Sequence, residues 1–398
     1  MKVLAINCGS ATLKFALIET ADGSTAPGHE RQLAWGAIDR IGHNGSIVFT
    51  ASYGSQVREE ATVKDHGEAV RRLLHLLKSL GGNPPDAVGH RVVHGGDRFH
   101  QPTIVSNEVV EAIEGLSYLA PLHNHPSLAA IRAVREQLGA AMPQVATFDT
   151  AFHYALPERS ARYAIPDGLA ARHKIRRYGF HGLAHRYMME RYIAITGRPV
   201  AETKLITLQL GNGCSASAIA GGRPVDTSMG LTPLEGLMMG TRSGDVDPSL
   251  VVFLARREGV PPEEAEGWLN TRSGLLGVSG LAADMRDLLN AEGKGDHRAA
   301  LAIDMFCYRV RKCVGAYLAA LGGADAVVFG GGIGENSPEI RTRILEGMEW
   351  CGIKLDETRN REAESRITAD DAALHCYLVP VDEAVIIARD TARCLHGG

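Results

Sequence analysis

The sequence predicts an α/β protein built from two related halves, and three observations carry that reading. Short apolar runs alternate with amphipathic helical patterns along the chain. A strand, a small-residue loop and a returning strand open the chain, and the same plan recurs from Leu205 onward. Three glycine-rich loops each follow one of the predicted strands.

Lys2 to Asn7 is a continuous apolar run of buried-strand type, Cys8 to Thr12 a loop of small residues, and Leu13 to Ile18 the return. Ala87 to Val93 and Val145 to Phe148 read as further strands of the first half. The second half opens with Leu205 to Leu210, turns through Gly211 to Ser215, and returns along Ala216 to Ala220 before a Gly221-Gly222 turn. Ala299 to Leu321 is an amphipathic helix, with Val310, Val314, Tyr317, Leu318 and Leu321 on one face. Asp325 to Phe329 is a strand that runs into a third glycine-rich loop, Gly330 to Asn336, and Pro338 suits the first turn of a following helix. The change from the first strand-helix set to the second places a domain boundary near Thr150.

The 398 residues are 45% hydrophobic and 22% charged, which excludes a disordered chain. A net charge of −4 offers no global basic surface for nucleic acid or an anionic membrane. No apolar run reaches the roughly 18 residues of a membrane helix, and Met1 to Asn7 reads as a strand rather than a signal peptide. Seven scattered cysteines form no C-x-x-C pair, so neither a disulfide framework nor a structural zinc site is expected. A reduced cytoplasm is the expected setting.

Glycine-rich loops after strands expose backbone N–H groups, which suit phosphate oxygens. None fits the G-x-x-x-x-G-K-[ST] pattern, so a P-loop NTPase is excluded. Thr12 and Lys14 share a strand face beside the first loop, although an alternating exposed lysine has the same pattern. His90 to Asp97, His123 to Pro126, Tyr178 to Gly182 and Met239 to Asp245 each set an arginine or histidine near glycine or proline. Arginine suits oxyanions through its planar, two-point hydrogen bonding. Asp149 and Glu383 are candidate acidic groups, in keeping with the one or two carboxylates that hold nucleotide-bound Mg²⁺. An aspartate at a strand end is equally a helix N-cap.

Gly89 to Gly96, Phe148 to His153, Arg177 to Gly182 and above all the block Val225 to Gly244 resemble the acetate kinases. This acetokinase family lies within the acetate and sugar kinase, heat-shock ATPase and actin superfamily. The resemblance implies duplicated ribonuclease H-like, actin-like ATPase domains with the active site in the cleft between them. An N-terminal domain at 1–149, completed by 383–398, would precede a nucleotide-binding domain at 150–382.

The implied activity is reversible, Mg²⁺-dependent, in-line transfer of the ATP γ-phosphate to acetate, giving acetyl phosphate and ADP on the route to acetyl-CoA. Mn²⁺ could substitute, and the implied assembly is a homodimer. Asn7 and Glu383 would hold the metal. Asp149, His181, Arg242, Arg91 and His123 would be catalytic, and Arg91, Val93, Leu122, Phe180 and Pro233 would bind the acid. Thr12, Lys14, Gln209, Leu210, Gly211, Asn212, Gly213, Asp284, Met285, Arg286, Gly332, Ile333, Gly334, Glu335 and Asn336 would surround the nucleotide.

The chain departs from the family pattern at Cys8, Ala11 and Thr12, where serines are usual, and at Gln209, where histidine is usual. His125, Ser127 and Ala384 also differ from it. The alternatives are a kinase for propionate or another short carboxylate, and, from a different class, an actin-like or chaperone-like ATP-binding module.

Overall fold

A computed structural model describes residues 1–20, 30–51, 56–79 and 84–396, apart from the side chains at 44, 51 and 121–123. The chain divides into two compact units. Unit 1 comprises Met1–Tyr154 with Asp382–Gly398, and unit 2 comprises Ala155–Val381.

Unit 1 holds a mixed sheet of eight strands: β1 (Lys2–Cys8), β2 (Thr12–Glu19), β3 (Arg31–Asp39), β4 (Asn44–Ala51), β5 (Gln56–Thr62), β6 (Ala87–Val92), β7 (Thr103–Ile104) and β8 (Gln144–Phe148). Their order across the sheet is β5-β4-β3-β2-β1-β6-β8-β7. Unit 2 holds five: β9 (Lys204–Leu210), β10 (Cys214–Ala220), β11 (Arg223–Thr227), β12 (Ala326–Gly330) and β13 (His375–Leu378), ordered β11-β10-β9-β12-β13.

The two sheets share one plan. Three antiparallel strands in a meander (β1-β2-β3 and β9-β10-β11) are followed by two strands parallel to the first, β6 and β8 in unit 1 and β12 and β13 in unit 2. The recurrence of the opening hairpin in the sequence is therefore a repeat of topology, which is the duplicated plan the sequence predicts.

Burial explains the apolar runs. One face of the unit 1 sheet carries Leu4, Ile6, Leu13, Phe15 and Leu17 in a core with Val70 and Leu73 of the helix His66–Ser79 and Val134 of the helix Pro121–Leu138. The opposite face packs Val3, Ala16 and Ile18 against Ala388 of the helix Glu383–His396. That helix lies hard against β6. A Cβ on Gly89 would fall 2.3 Å from Thr391 Oγ1 and 2.6 Å from Ile387 Cγ2, so only glycine admits the approach.

Local signals set most element ends. The long helix begins at His297, two residues earlier than its apolar face suggests, because Asp296 accepts from the N–H groups of Arg298 and Ala299. Gly322 ends it at a positive φ of 64°. Pro338 takes the first turn of the helix Pro338–Leu345, capped by Ser337. The expected loop Gly330 to Asn336 requires correction: Gly330 closes β12 and Gly331–Asn336 is a short helix. Glycine content argues for a loop, but Gly331 serves a close approach instead, at a positive φ of 78° where a Cβ would lie 2.6 Å from Leu210 O. Gly334 is buried, and a Cβ there would lie 3.6 Å from the Leu210 side chain. No helix among the described residues is long and apolar enough to cross a membrane.

Candidate active site

In unit 1 the strand register builds the site. Asn7 near the end of β1 pairs with Lys14 on β2 and with Arg91 on β6, and Arg91 pairs with Thr147 on β8. Residues abreast in a sheet share a face, so Lys14, Asn7 and Arg91 form one row. Asp149 follows β8 directly, its backbone N–H bonded to Val92 O at 3.0 Å.

The Arg91 guanidinium donates to Asp149 from both Nε, at 3.0 Å to Oδ1, and Nη2, and from Nη1 to Asn7 Oδ1 at 3.0 Å. Asn7 Nδ2 donates to Glu383 Oε2 at 2.7 Å, and the same carboxylate oxygen lies 3.9 Å from Arg91 Nε. Asp149 is fully buried, while Arg91 and Glu383 keep 11% and 17% side-chain exposure, so a solute can still reach them. Burial opposes the Arg91 charge, but Asp149 and then Glu383 more than restore it, and its pKa rises. Burial likewise raises Glu383 above its ordinary value, against the pull of Arg91. Asp149 is thus an arginine partner here and caps no helix.

Neighbouring contacts fix this group. Ser127 Oγ donates to Arg91 O at 3.0 Å, and Asn124 exchanges two hydrogen bonds with the His94 backbone, tying the helix Pro121–Leu138 to the end of β6. Gly9 N–H bonds Thr12 O at 2.8 Å to close the first small loop, and His66 Nε2 donates to Gly9 O at 2.8 Å. Lys14 is exposed on the sheet face and attracts Glu383. Val93 is 3% exposed, directly after β6. Leu122 and His123 stand on the first turn of the helix Pro121–Leu138, but their side chains lie outside the described residues.

Unit 2 carries a second group. His181 has a left-handed φ of 55° at the start of the helix Gly182–Thr196, a conformation uncommon for a non-glycine residue. Its Nδ1 lies 2.8 Å from Ser215 Oγ. A Cβ on Gly213 would lie 3.5 Å from His181 Nε2 and 2.5 Å from Arg242 Nη2, so the histidine and the arginine converge above this bare backbone. Arg242 Nη1 donates to Pro233 O at 2.5 Å, and no acidic side chain pairs with the guanidinium among the described residues. Burial lowers its pKa. A half-buried arginine without a counter-ion is a ready site for an anion. Phe180, next to His181, is 1% exposed.

A pocket of about 560 Å³ in unit 2 is lined by Gly211, Asn212, Asp284, Met285, Arg286, Gly332, Ile333 and Asn336, together with Ala283, Leu289 and Ser337, which sequence reasoning missed. Asp284 caps the helix Met285–Glu292, and its pKa falls because Arg286 hydrogen-bonds it. The other expected nucleotide residues do not line this pocket. Leu210 is fully buried, Gln209 is flanked by it on β9, Gly213 faces Arg242 and His181, and Gly334 packs on Leu210. Glu335 is also engaged elsewhere: its Oε1 accepts from the N–H groups of Gly331 and Val381. Ser215 and His185, behind His181, were missed as well, although the four-residue spacing of two histidines on one helix was visible.

The acetokinase family model matches residues 2–389. An acetate kinase from Solibacter usitatus is 46% identical, with 100% of this chain and 99% of the relative covered. One from Chloroherpeton thalassium is 45% identical, with 99% of each covered. The crystal structure of Porphyromonas gingivalis acetate kinase superposes with a TM-score of 0.88 at 40% identity, covering 99% of both chains. A propionate kinase structure from Francisella tularensis reaches 0.90 at 37% identity, covering 98% of both. Matched from near its first residue to near its last, the chain belongs to the acetokinase family.

Proposed function

We propose that this chain is an acetate kinase, moving the ATP γ-phosphoryl group reversibly onto acetate to give acetyl phosphate and ADP by direct in-line transfer. The observation that carries the reading is Arg242, a cation without an acidic partner among the described residues, set beside His181 over Gly213. Such a pair suits a transferring phosphoryl group.

Acetate has a pKa of about 4, like other carboxylic acids, and is ionised at pH 7. No general base is needed, because the nucleophile has no proton to lose. Repulsion between two anions is what must be overcome, and Arg91, Arg242, His181, His123 and Lys14 are the groups to counter it. Asp149 orients Arg91 through their two-point contact rather than accepting a proton. The Arg91 group of unit 1 is the proposed acid site, and the pocket of unit 2 the proposed nucleotide site.

Asn7 and Glu383 fit a hydrated Mg²⁺. One amide and one carboxylate side by side match an ion that keeps several waters and takes few protein ligands. When bound, Mg²⁺ or Mn²⁺ neutralises phosphate charge. The protein acts as a homodimer in the cytoplasm, a setting that suits ATP as substrate and seven free thiols.

Hydroxylamine trapping tests this. With ATP, Mg²⁺ and acetate, acyl hydroxamate should accumulate with ADP. Greater turnover with propionate would make the protein a propionate kinase, a reading the Francisella structure keeps in view. ATP hydrolysis indifferent to any acid, with no hydroxamate, would indicate an actin-like or chaperone-like module instead.

A further inference from the structure

Behind His181 runs a chain of buried hydrogen-bonding groups. His181 Nδ1 lies 2.8 Å from Ser215 Oγ, which lies 2.8 Å from His185 Nε2. His185 Nδ1 lies 2.7 Å from Thr207 Oγ1. Ser215, His185 and Thr207 are all fully buried. Burial, and then His181, lower the His185 pKa well below its ordinary value, so this ring is neutral and carries one N–H.

Proton counting leaves two orders for the chain, since each hydroxyl and the His185 ring contribute one proton. In the first, Thr207 donates to His185 Nδ1, His185 Nε2–H donates to Ser215, and Ser215 donates to His181 Nδ1. In the second every bond reverses. The Thr207 proton must then go to Ser217 O, which is 3.4 Å away. The first order keeps each proton in a contact of 2.7 or 2.8 Å, and the second leaves one at the edge of hydrogen-bonding range.

The consequences for His181 differ. The first order fills Nδ1 with a donor, so the ring's own proton sits on Nε2, the nitrogen near Arg242 above Gly213. The second bares an Nε2 lone pair toward any anion held there, and His181 would need a positive charge to donate. Arg242 opposes that charge at close range, and the nearby Cys214 thiol, pushed up to about 12 by burial, supplies no compensating anion.

We propose that Ser215 and His185 are positioning residues that hold His181 as the neutral Nε2–H tautomer, so that it donates to the transferring phosphoryl group without being charged. This rests on the acid-kinase reading of the site. The relay also answers why two polar rings and two hydroxyls occupy a space that apolar side chains would fill more cheaply.

The test is ¹⁵N spectroscopy of histidine-labelled full-length protein, with the His181 signals assigned by their loss in His181→Asn. At pH 7 the wild type is expected to show an unprotonated Nδ1 and a protonated Nε2. Protonation at Nδ1, alone or with Nε2, would overturn the proposal whether or not the protein phosphorylates acetate. Ser215→Ala should keep the KM values for acid and ATP, lower kcat about tenfold, the worth of one well-placed hydrogen bond, and broaden or shift the Nδ1 signal. Unchanged kcat and an unchanged Nδ1 signal in that variant would also overturn it. Loss of hydroxamate formation in the wild type would instead overturn the kinase reading and leave the tautomer to the spectrum.

Discussion

Arg91 and Asp149 face each other across adjacent strands in a two-point ion pair, Nε to Oδ1 at 3.0 Å and Nη2 to Oδ2, with the aspartate fully buried. Arg242 in unit 2 has no such partner among the described residues. The two arginines should therefore respond differently to removal. Arg91→Ala strands a buried carboxylate, which costs about 3–5 kcal/mol of stability, and it should also abolish turnover. Arg242→Ala strands no charge and removes only the donor to Pro233 O. It should leave the urea midpoint near that of the wild type while kcat falls by about a hundredfold, the usual loss for one transition-state donor. Equal destabilisation in the two variants would contradict this contrast.

Gly213 gives a finer test of the second group. Its backbone has no positive φ, so alanine is conformationally acceptable. The added methyl would fall 2.5 Å from Arg242 Nη2, the movable end of a long side chain, and the arginine must give way. Gly213→Ala is expected to melt within a degree or two of the wild type, as surface-like changes do. Displacing the guanidinium by an ångström should still cost about a hundredfold in kcat. Wild-type turnover would separate Arg242 from the reaction.

The sequence made the sheets legible because both are built from local hairpins and buried apolar runs. Lys2 to Asn7 and Leu205 to Leu210 lie within the first strands of the two sheets, and a residue or so of difference at each end reflects fraying rather than a different plan. The helix Gly331–Asn336 was not legible, because Gly330, Gly331, Gly332 and Gly334 read as a loop, and the close approach of Gly331 to the Leu210 backbone is a contact between distant segments. The row of Lys14, Asn7 and Arg91 depends on strand register, which no single segment encodes. Ser215 and His185 escaped notice for a related reason. Their significance lies in a contact between a helix and a strand thirty positions apart.

Acid should unfold the protein partly through histidines. His90 is buried with Nε2 on Gln144 Oε1 at 2.8 Å, and burial pulls its pKa from 6.5 down to about 4. Between those values the unfolded chain binds a proton that the native chain refuses, so stability rises with pH. The full effect is present above pH 6.5 and lost as pH falls toward 4. Integrated, it is about 3 kcal/mol. His90→Gln, which keeps a neutral donor toward Gln144, should flatten the dependence by about 1.4 kcal/mol per pH unit in that window. Urea titrations at pH 7, 6 and 5 on both proteins would measure it. Parallel curves would show that His90 does not titrate between the two states.

The choice between acetate and propionate is the remaining question of function, since solved structures of both kinds of kinase superpose on this chain at TM-scores of 0.88 and 0.90. Val93 is the residue to change. It is 3% exposed and lies two positions beyond Arg91, directly after β6. If it walls the acid's methyl group, volume decides. An extra methylene gains about 0.8 kcal/mol on burial, whereas forcing it into filled space costs about 1–3 kcal/mol. Acetate should then be preferred by about tenfold in kcat/KM, within the limited discrimination that one methylene allows. Val93→Ala opens that space and should narrow or reverse the ratio, chiefly through a lower KM for propionate. Some stability will be lost as well, because a buried valine is truncated, so the comparison must be the ratio of the two acids and not either rate alone. An unchanged ratio in a folded Val93→Ala enzyme would mean that Val93 belongs to the core beneath the site and that another side chain measures the acid.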